Sequence, residues 1–176
     1  DALQGGGGAD SFRAGAGNDR IVVNATAAFR LVDGGAGTDT IAAALINVGS
    51  AANIKNFEGL DVTGFNAPLD ASLLTNSAIS SLSFSGTAAS AATAVIQNVA
   101  AAATVNVTGT LDQAAVQTAN LGSLTLSQTG TPTLAVNFAA SPSAAGATPA
   151  PGGWFSSIGT LKETGNTAVA INAGGN

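Results

Sequence analysis

The 176-residue chain contains no cysteine, no histidine, no methionine and no tyrosine. Each absence removes a kind of chemistry. Without cysteine there is no disulfide to hold a secreted fold and no thiol nucleophile. Without histidine or cysteine there is no ordinary zinc site and no Ser-His or Cys-His pair. Charge is also scarce: 9% of residues carry it, with five Lys and Arg against ten Asp and Glu, for a net charge of −5. The five basic residues form no cluster, which excludes nucleic acid as the expected partner. Neither a G-x-S-x-G elbow nor a GxxxxGK[ST] phosphate loop occurs. Outside the first 39 positions the carboxylates are Glu58, Asp61, Asp70, Asp112 and Glu163, too scattered for a glycosidase pair. Catalysis is therefore not expected. No long apolar run is free of polar residues, so membrane insertion is not expected either. The start lacks a basic n-region and an apolar h-region.

What is present is concentrated at one end. Five of the eight aspartates (Asp1, Asp10, Asp19, Asp33 and Asp39) lie in the first 39 positions. Within residues 5–42 three nonapeptides, GGGGADSFR, AGAGNDRIV and GGAGTDTIA, fit the template GGxGxDxUx, where U is a large apolar residue. Glycines such as Gly6, Gly8, Gly15, Gly17, Gly35 and Gly37 supply positive φ and let carbonyls turn inward. The aspartate that follows supplies a hard carboxylate oxygen, and Ca²⁺ takes about six to eight oxygens of these kinds. The last residues run as a short strand with Phe12, Ile21 or Ile41 in the core.

The spacing predicts that two nonapeptides make one turn, so that each loop stacks on the next loop but one. Asp1 and Asp19 stand two nonapeptides apart and meet that condition. Asp39 lies two positions too far beyond Asp19 and joins the same ladder after a two-residue bulge. Asp10 falls on the opposite side. Its partner near residue 28 is missing, because Thr26-Ala27-Ala28-Phe29 carries no glycine turn. We expect one ladder of Ca²⁺ sites through Asp1, Asp19 and Asp39, with a weaker or incomplete site at Asp10. Asp33 either adds a ligand or stabilises the turn before the third motif. Arg13, Arg20 and Arg30 flank the strands and either pair with carboxylates or, the favoured reading, stay solvated.

On these motifs the first forty or so residues resemble the RTX (repeats-in-toxin) family. The resemblance implies an all-β fold, a parallel β-roll or β-helix. In such a right-handed β-solenoid, glycine-aspartate turns bind calcium. It also implies secretion by a type I system from a Gram-negative bacterium to the cell surface. There Ca²⁺ would fold a chain that is disordered in calcium-poor cytosol.

Residues 43–176 are expected to continue as an Ala/Thr/Ser-rich β-solenoid of longer period. The segment IKNFEGLDVTG carries Ile54, Phe57, Leu60 and Val62. Here the chain is similar to RTX-type surface-layer (S-layer) proteins of alphaproteobacteria. In them a glycine-aspartate repeat leads into an apolar-Phe-Glu-x-Leu-x-Val segment and a long Ala/Thr/Ser solenoid. Glu58 and Asp61 are either further calcium ligands or outer-face polar residues. Short strands then end in glycine turns at Gly64, Gly86, Gly109, Gly130 and Gly165, a recurring spacing that reads as stacked rungs. The alanine-rich run 88–107 is read as strand, since Thr93, Val95, Ile96, Val99 and Val105 favour strands. A short helical turn is expected within 111–120. Residues 140–155, with three of the five prolines and the only tryptophan, Trp154, read as a surface loop. TLKETGNTAVAIN reads as a closing strand pair. Both ends look cut, so a piece of a longer repetitive protein is expected.

The combined pattern points to a calcium-dependent structural protein that self-associates into a two-dimensional array or filament. A cell-surface polysaccharide is a candidate partner for another part of the chain. An RTX adhesin fragment, or the non-catalytic RTX module of a secreted hydrolase or epimerase, are the alternatives.

Overall fold

The computed structural model describes residues 9–21, 29–86, 89–99, 104–111, 118–128, 133–142, 155–165 and 168–173. Their strands are short at first: β1 (Ser11–Ala16), β2 (Arg20–Ile21), β3 (Leu31–Ala36), β4 (Thr40–Ala42), β5 (Ile54–Lys55), β6 (Gly59–Asp61) and β7 (Pro68–Asp70). They lengthen later, as β8 (Ser81–Gly86), β9 (Ala89–Val99), β10 (Thr104–Leu111), β11 (Thr118–Gln128), β12 (Thr133–Pro142), β13 (Phe155–Thr164) and β14 (Ala168–Ala173). Every strand pairing is parallel. One seven-stranded sheet collects all the even-numbered strands in order. The odd-numbered strands form a three-stranded sheet, β1-β3-β5, and a four-stranded one, β7-β9-β11-β13. No α-helix occurs among the described residues. The mostly parallel, all-β arrangement agrees with the expected β-roll class.

Alternation along each strand explains the packing. Leu82 and Phe84 are buried while Ser83 between them is half-exposed, and Leu124 and Leu126 repeat this around Thr125. Stacking then aligns one apolar column through the seven-stranded sheet. Ile21 faces Ile41, then Leu60, Leu82, Val105 and Val136 in unbroken register. All six are at most 1% exposed. Each side chain covers the one below, and full burial of such a residue is worth roughly 1.5–3 kcal/mol. The next member, Ile171 opposite Val136, is 67% exposed.

The glycine period proves to mix two faces. The strands before Gly64, Gly86 and Gly109 do stack in the long sheet, with Gly86 opposite Gly109. The strand containing Leu124 and Leu126 instead belongs to the four-stranded sheet, where Leu124 faces Leu161. What stacks on Val105-Asn106 is Val136-Asn137, in β12. The rung therefore grows along the chain. The separation between stacked positions is 20 at Asp19–Asp39. It reaches 31 at Asn106–Asn137 and 35 at Asn137–Asn172. A strand pattern with period two carries no mark of which face it joins, so glycine spacing alone assigned the wrong partner. For the same reason TLKETGNTAVAIN yields two strands, β13 and β14, that lie in different sheets rather than pairing together.

The alanine-rich run is strand where it is described, in β9 and β10. The expected helical turn has strand at both ends, at Leu111 and from Thr118, and its centre lies outside the described residues. Residues 143–154 of the expected loop, Trp154 among them, also lie outside. Single 3-10 turns (Ala43–Leu45, Ala51–Asn53 and Ala71–Leu73) round the corners instead.

Asp70 opens the third of these turns and ties two rungs together. Its Oδ1 accepts from Asn98 Nδ2 and from the Ser72 backbone N–H, both at 2.9 Å. The Asn98 amide, then the Ser72 bonds, hold its carboxyl below the ordinary 3.8. A lowered folded value means the ionised form steadies the fold above the ordinary value. That contribution is lost as pH falls through the folded value. Asn98 sits at φ 56, which glycine tolerates. Asn98→Gly is thus expected to raise the Asp70 pKa toward 3.8 without adding strain, as read by NMR titration of the carboxyl carbon. An unchanged titration curve would contradict the assignment.

Candidate metal centre

The glycine turns are held between strands of the two sheets. β1 leads through the first turn into β2, and β3 leads through the next into β4. Gly15 stands opposite Gly35, and Gly17 N–H donates to the Ala36 carbonyl at 2.9 Å. The two turns are stacked so closely that a Cβ on Gly35 would run into the Gly15 carbonyl oxygen. The Thr38 N–H completes the contact by donating to Asn18 Oδ1 at 2.9 Å.

The turn here is two residues longer than a pair of nonapeptides, with Asp19 and Asp39 separated by 20 positions. The same register already holds where the Arg30 N–H meets the Asp10 carbonyl at 2.9 Å. The offset of 20 holds from Ser11 opposite Leu31 to Ile21 opposite Ile41, so the two extra residues fall between Ile21 and Arg30, as an insertion between Asp19 and Asp39 requires. Residues 22–28, where they lie, are outside the described residues.

Asp19 and Asp39 come together as one ladder. The Asp19 N–H donates to Asp39 Oδ1 at 2.7 Å, and the Thr40 N–H donates to the Asp19 carbonyl at 2.8 Å. Asp39 is fully buried and Asp19 is 9% exposed. The row does not stop at the third nonapeptide. The Asp39 N–H donates to Glu58 Oε2 at 2.9 Å, repeating the Asp19–Asp39 contact one rung on. Above Glu58 the chain places Ser80, whose N–H meets the Glu58 carbonyl at 2.8 Å, and the acidic row ends there.

Three carboxylates at successive rungs repel. Two unit charges about 5 Å apart cost roughly 3 kcal/mol at an effective dielectric near 20. Rung spacing brings neighbours to about that distance. Burial makes each charge costlier still unless something compensates it. Asp39 Oδ2 is buried and accepts no hydrogen bond. It lies over the Cα of Gly34, where a Cβ would meet it at 2.8 Å and would also strike the Asn56 carbonyl oxygen. An unpartnered carboxylate oxygen beside a main-chain carbonyl, in a cradle any side chain would fill, suits a hard cation. No group of three or more acidic side chains converges among the described residues. An ion here would draw much of its shell from carbonyls, as Ca²⁺ readily does.

The other candidate residues lie apart. Asp10 sits on the opposite side, its carbonyl bonded to Arg30, so the residue stacked there brings no carboxylate. Asp33 is taken by the neighbouring rung: Lys55 Nζ lies 3.0 Å from its Oδ2, and Asn56 Nδ2 donates to Oδ1 at 2.7 Å. Burial opposes its ionisation, but Lys55, Asn56 and a Gly35 N–H outweigh that and hold its carboxyl below the ordinary range. Arg20 is paired, not merely solvated. Its guanidinium reaches two rungs to the buried carboxylate of Asp61, with Nε–Oδ2 at 3.0 Å. Asp1, Gly6 and Gly8 lie outside the described residues.

Two residues of this cradle escaped the sequence reading. Gly34 matches the first glycine of the third motif but was not among the candidate site residues, although its missing Cβ makes the cradle. Asn56 carries the left-handed φ of 58 that the motif assigns to glycine. Asparagine tolerates that region better than most residues, which is the one signal available.

Asp19→Ala is expected to weaken Ca²⁺ binding about tenfold or more, and Asp10→Ala much less, by calorimetric titration. The asymmetry follows from one side having a stacked carboxylate and the other none. Equal effects would contradict the ladder.

Residues 1–25 match the family of RTX calcium-binding nonapeptide repeats (4 copies). The match covers the first two motifs and stops before residues 34–42. No curated protein and no solved structure matches the chain. The chain thus carries RTX nonapeptide repeats over residues 1–25, repeats of a calcium-binding kind, and Ca²⁺ is the ion they take.

Proposed function

We propose that this chain belongs to a calcium-dependent extracellular structural protein. It would be an S-layer-type lattice component, exported by a type I system from a Gram-negative bacterium and without catalytic activity of its own. In this reading the strands wind as a right-handed β-solenoid. Residues 1–42 form the calcium roll and 43–176 the charge-poor body.

One observation carries the reading. The seven-stranded sheet starts inside the glycine-aspartate turns and runs unbroken into strands that hold almost no charge. Such a chain joins an ion-dependent switch to a stiff, inert rod. A lattice component needs both: folding delayed until calcium is met, and then repeated lateral contacts that do not close into a small ring. Electron microscopy of the purified protein tests it. Ordered sheets or filaments are expected on adding Ca²⁺; dispersed particles across millimolar Ca²⁺ would refute the lattice.

An adhesin is the second reading, favoured by the outer face of the long sheet. Asn106, Asn137 and Asn172 stand in register there, with amide contacts of 2.9 and 2.8 Å between them. The threonines do not recur in the same way: Thr104 faces Ser81 on one side and Ala135 on the other. Glycan binding by calcium-loaded, monomeric protein would favour this second reading.

A further inference from the structure

We propose that Glu58, outside the nonapeptide repeats, is a calcium ligand, and that an ion binds between the Asp39 and Glu58 rungs with the Asn56 carbonyl. The inference rests on the calcium-binding reading of the turns and adds a site made by residues no repeat template contains.

Three observations converge on it. Glu58 takes the position over Asp39 that Asp39 takes over Asp19, each carboxylate accepting the N–H of the rung before. Asp39 Oδ2 is fully buried, has no hydrogen-bond partner, and lies beside the Asn56 carbonyl in the space left by Gly34. The corner itself has been shortened. Asp33 faces Lys55, and Asp39 meets Glu58. The chain takes six steps from Asp33 to Asp39 but only three from Lys55 to Glu58, so half of the glycine turn is omitted here. Asn56, with φ 58, turns the chain in its place. Glutamate has one methylene more than aspartate, which offers the added reach a tighter corner requires. Asp61, the other acidic residue of this segment, is occupied by Arg20 and is excluded as a ligand.

The site is a place of two carboxylates and at least one carbonyl, oxygen donors suited to Ca²⁺ rather than to a softer metal. It gives the last calcium-bound turn a lid drawn from the first rung of the charge-poor body. Binding there clamps the two regions together.

Glu58→Gln separates this role from a structural one, because the amide oxygen still accepts the Asp39 N–H while the charge is lost. Calorimetric titration of the full chain with Ca²⁺ is expected to show one fewer ion bound, or one class of site weakened at least tenfold. Circular dichroism of the calcium-loaded variant should stay as in the parent. Unchanged stoichiometry and affinity would overturn the proposal. A second measurement needs no variant: substoichiometric Gd³⁺ added to the calcium-loaded parent should broaden the amide signals of Asn56, Phe57 and Glu58. Sharp signals there, with broadening confined to the glycine turns, would overturn it while leaving calcium binding by the repeats intact. If the parent chain binds no Ca²⁺ at all, the broader reading falls with it.

Discussion

Chelating Ca²⁺ is expected to unfold the N-terminal rungs and leave the later strands standing. The two regions are stabilised differently. Around the glycine turns Asp19 and Asp39 are buried in one row with Glu58 beyond them, and the chain has no disulfide to hold them. Their core is thin, drawn from Phe12, Ile21, Phe29, Val32 and Ile41. An ion held by the folded turns alone contributes about 2.7 kcal/mol per site at a hundredfold excess over its dissociation constant. Its removal also restores the repulsion. Further along, Leu82, Phe84, Ile96, Leu124, Leu126, Leu134 and Val136 are buried without any buried carboxylate among them. Hydrogen exchange followed with and without a chelator should show it. Amides near Ile21 and Ile41 should lose protection by a hundredfold or more, and those near Leu82 and Val136 should keep it. Uniform loss along the chain, or no loss at all, would show that the ion is not what holds the turns.

Gly35→Ala is expected to be far more damaging than Gly15→Ala, although the two glycines occupy the same motif position. Their φ angles are nearly equal, +105 for Gly15 and +100 for Gly35. Either alanine meets the left-handed penalty of about 1–2 kcal/mol. At Gly15 nothing else lies within 4 Å of the new methyl. At Gly35 the methyl enters the Gly15 carbonyl oxygen, a backbone atom that moves only if the turns separate. Separation breaks the Gly17–Ala36 bond and pulls Asp39 away from Asp19. A total loss of at least about 3 kcal/mol is expected at Gly35, together with weakened Ca²⁺ binding. Denaturant melts of both variants at saturating Ca²⁺ would measure it. Equal losses would mean the turns do not rest on one another.

How much of this was legible beforehand depends on the length scale. The glycine-aspartate motif is read within a single nonapeptide, and the pairing of Asp19 with Asp39 follows once the turns are assumed to stack. The apolar residues Ile54, Phe57, Leu60 and Val62, named from the sequence, are all buried, although only Leu60 and Val62 are spaced as alternation requires. The ladder position of Glu58 was not legible. It depends on residues missing from a corner, and a shortened corner shows only when both flanking strands are placed. Nor was the pairing of Arg20 with Asp61, 41 positions apart, because each lies in a different rung and only the cumulative register aligns them.

The sequence by itself determined that the chain is built of strands, that its glycine-aspartate turns take Ca²⁺, and that it has neither histidine nor cysteine. These are properties of residue type and of spacing within a single turn. Which strand rests on which, how the rung widens from 20 to 35 positions, and that Glu58 rather than Asp61 tops the acidic row were decided only in three dimensions. The reason is that each corner between rungs can gain or lose residues freely on the surface. A period-two strand fits any neighbour in the right phase, so the packed core, not the local pattern, chooses the partner.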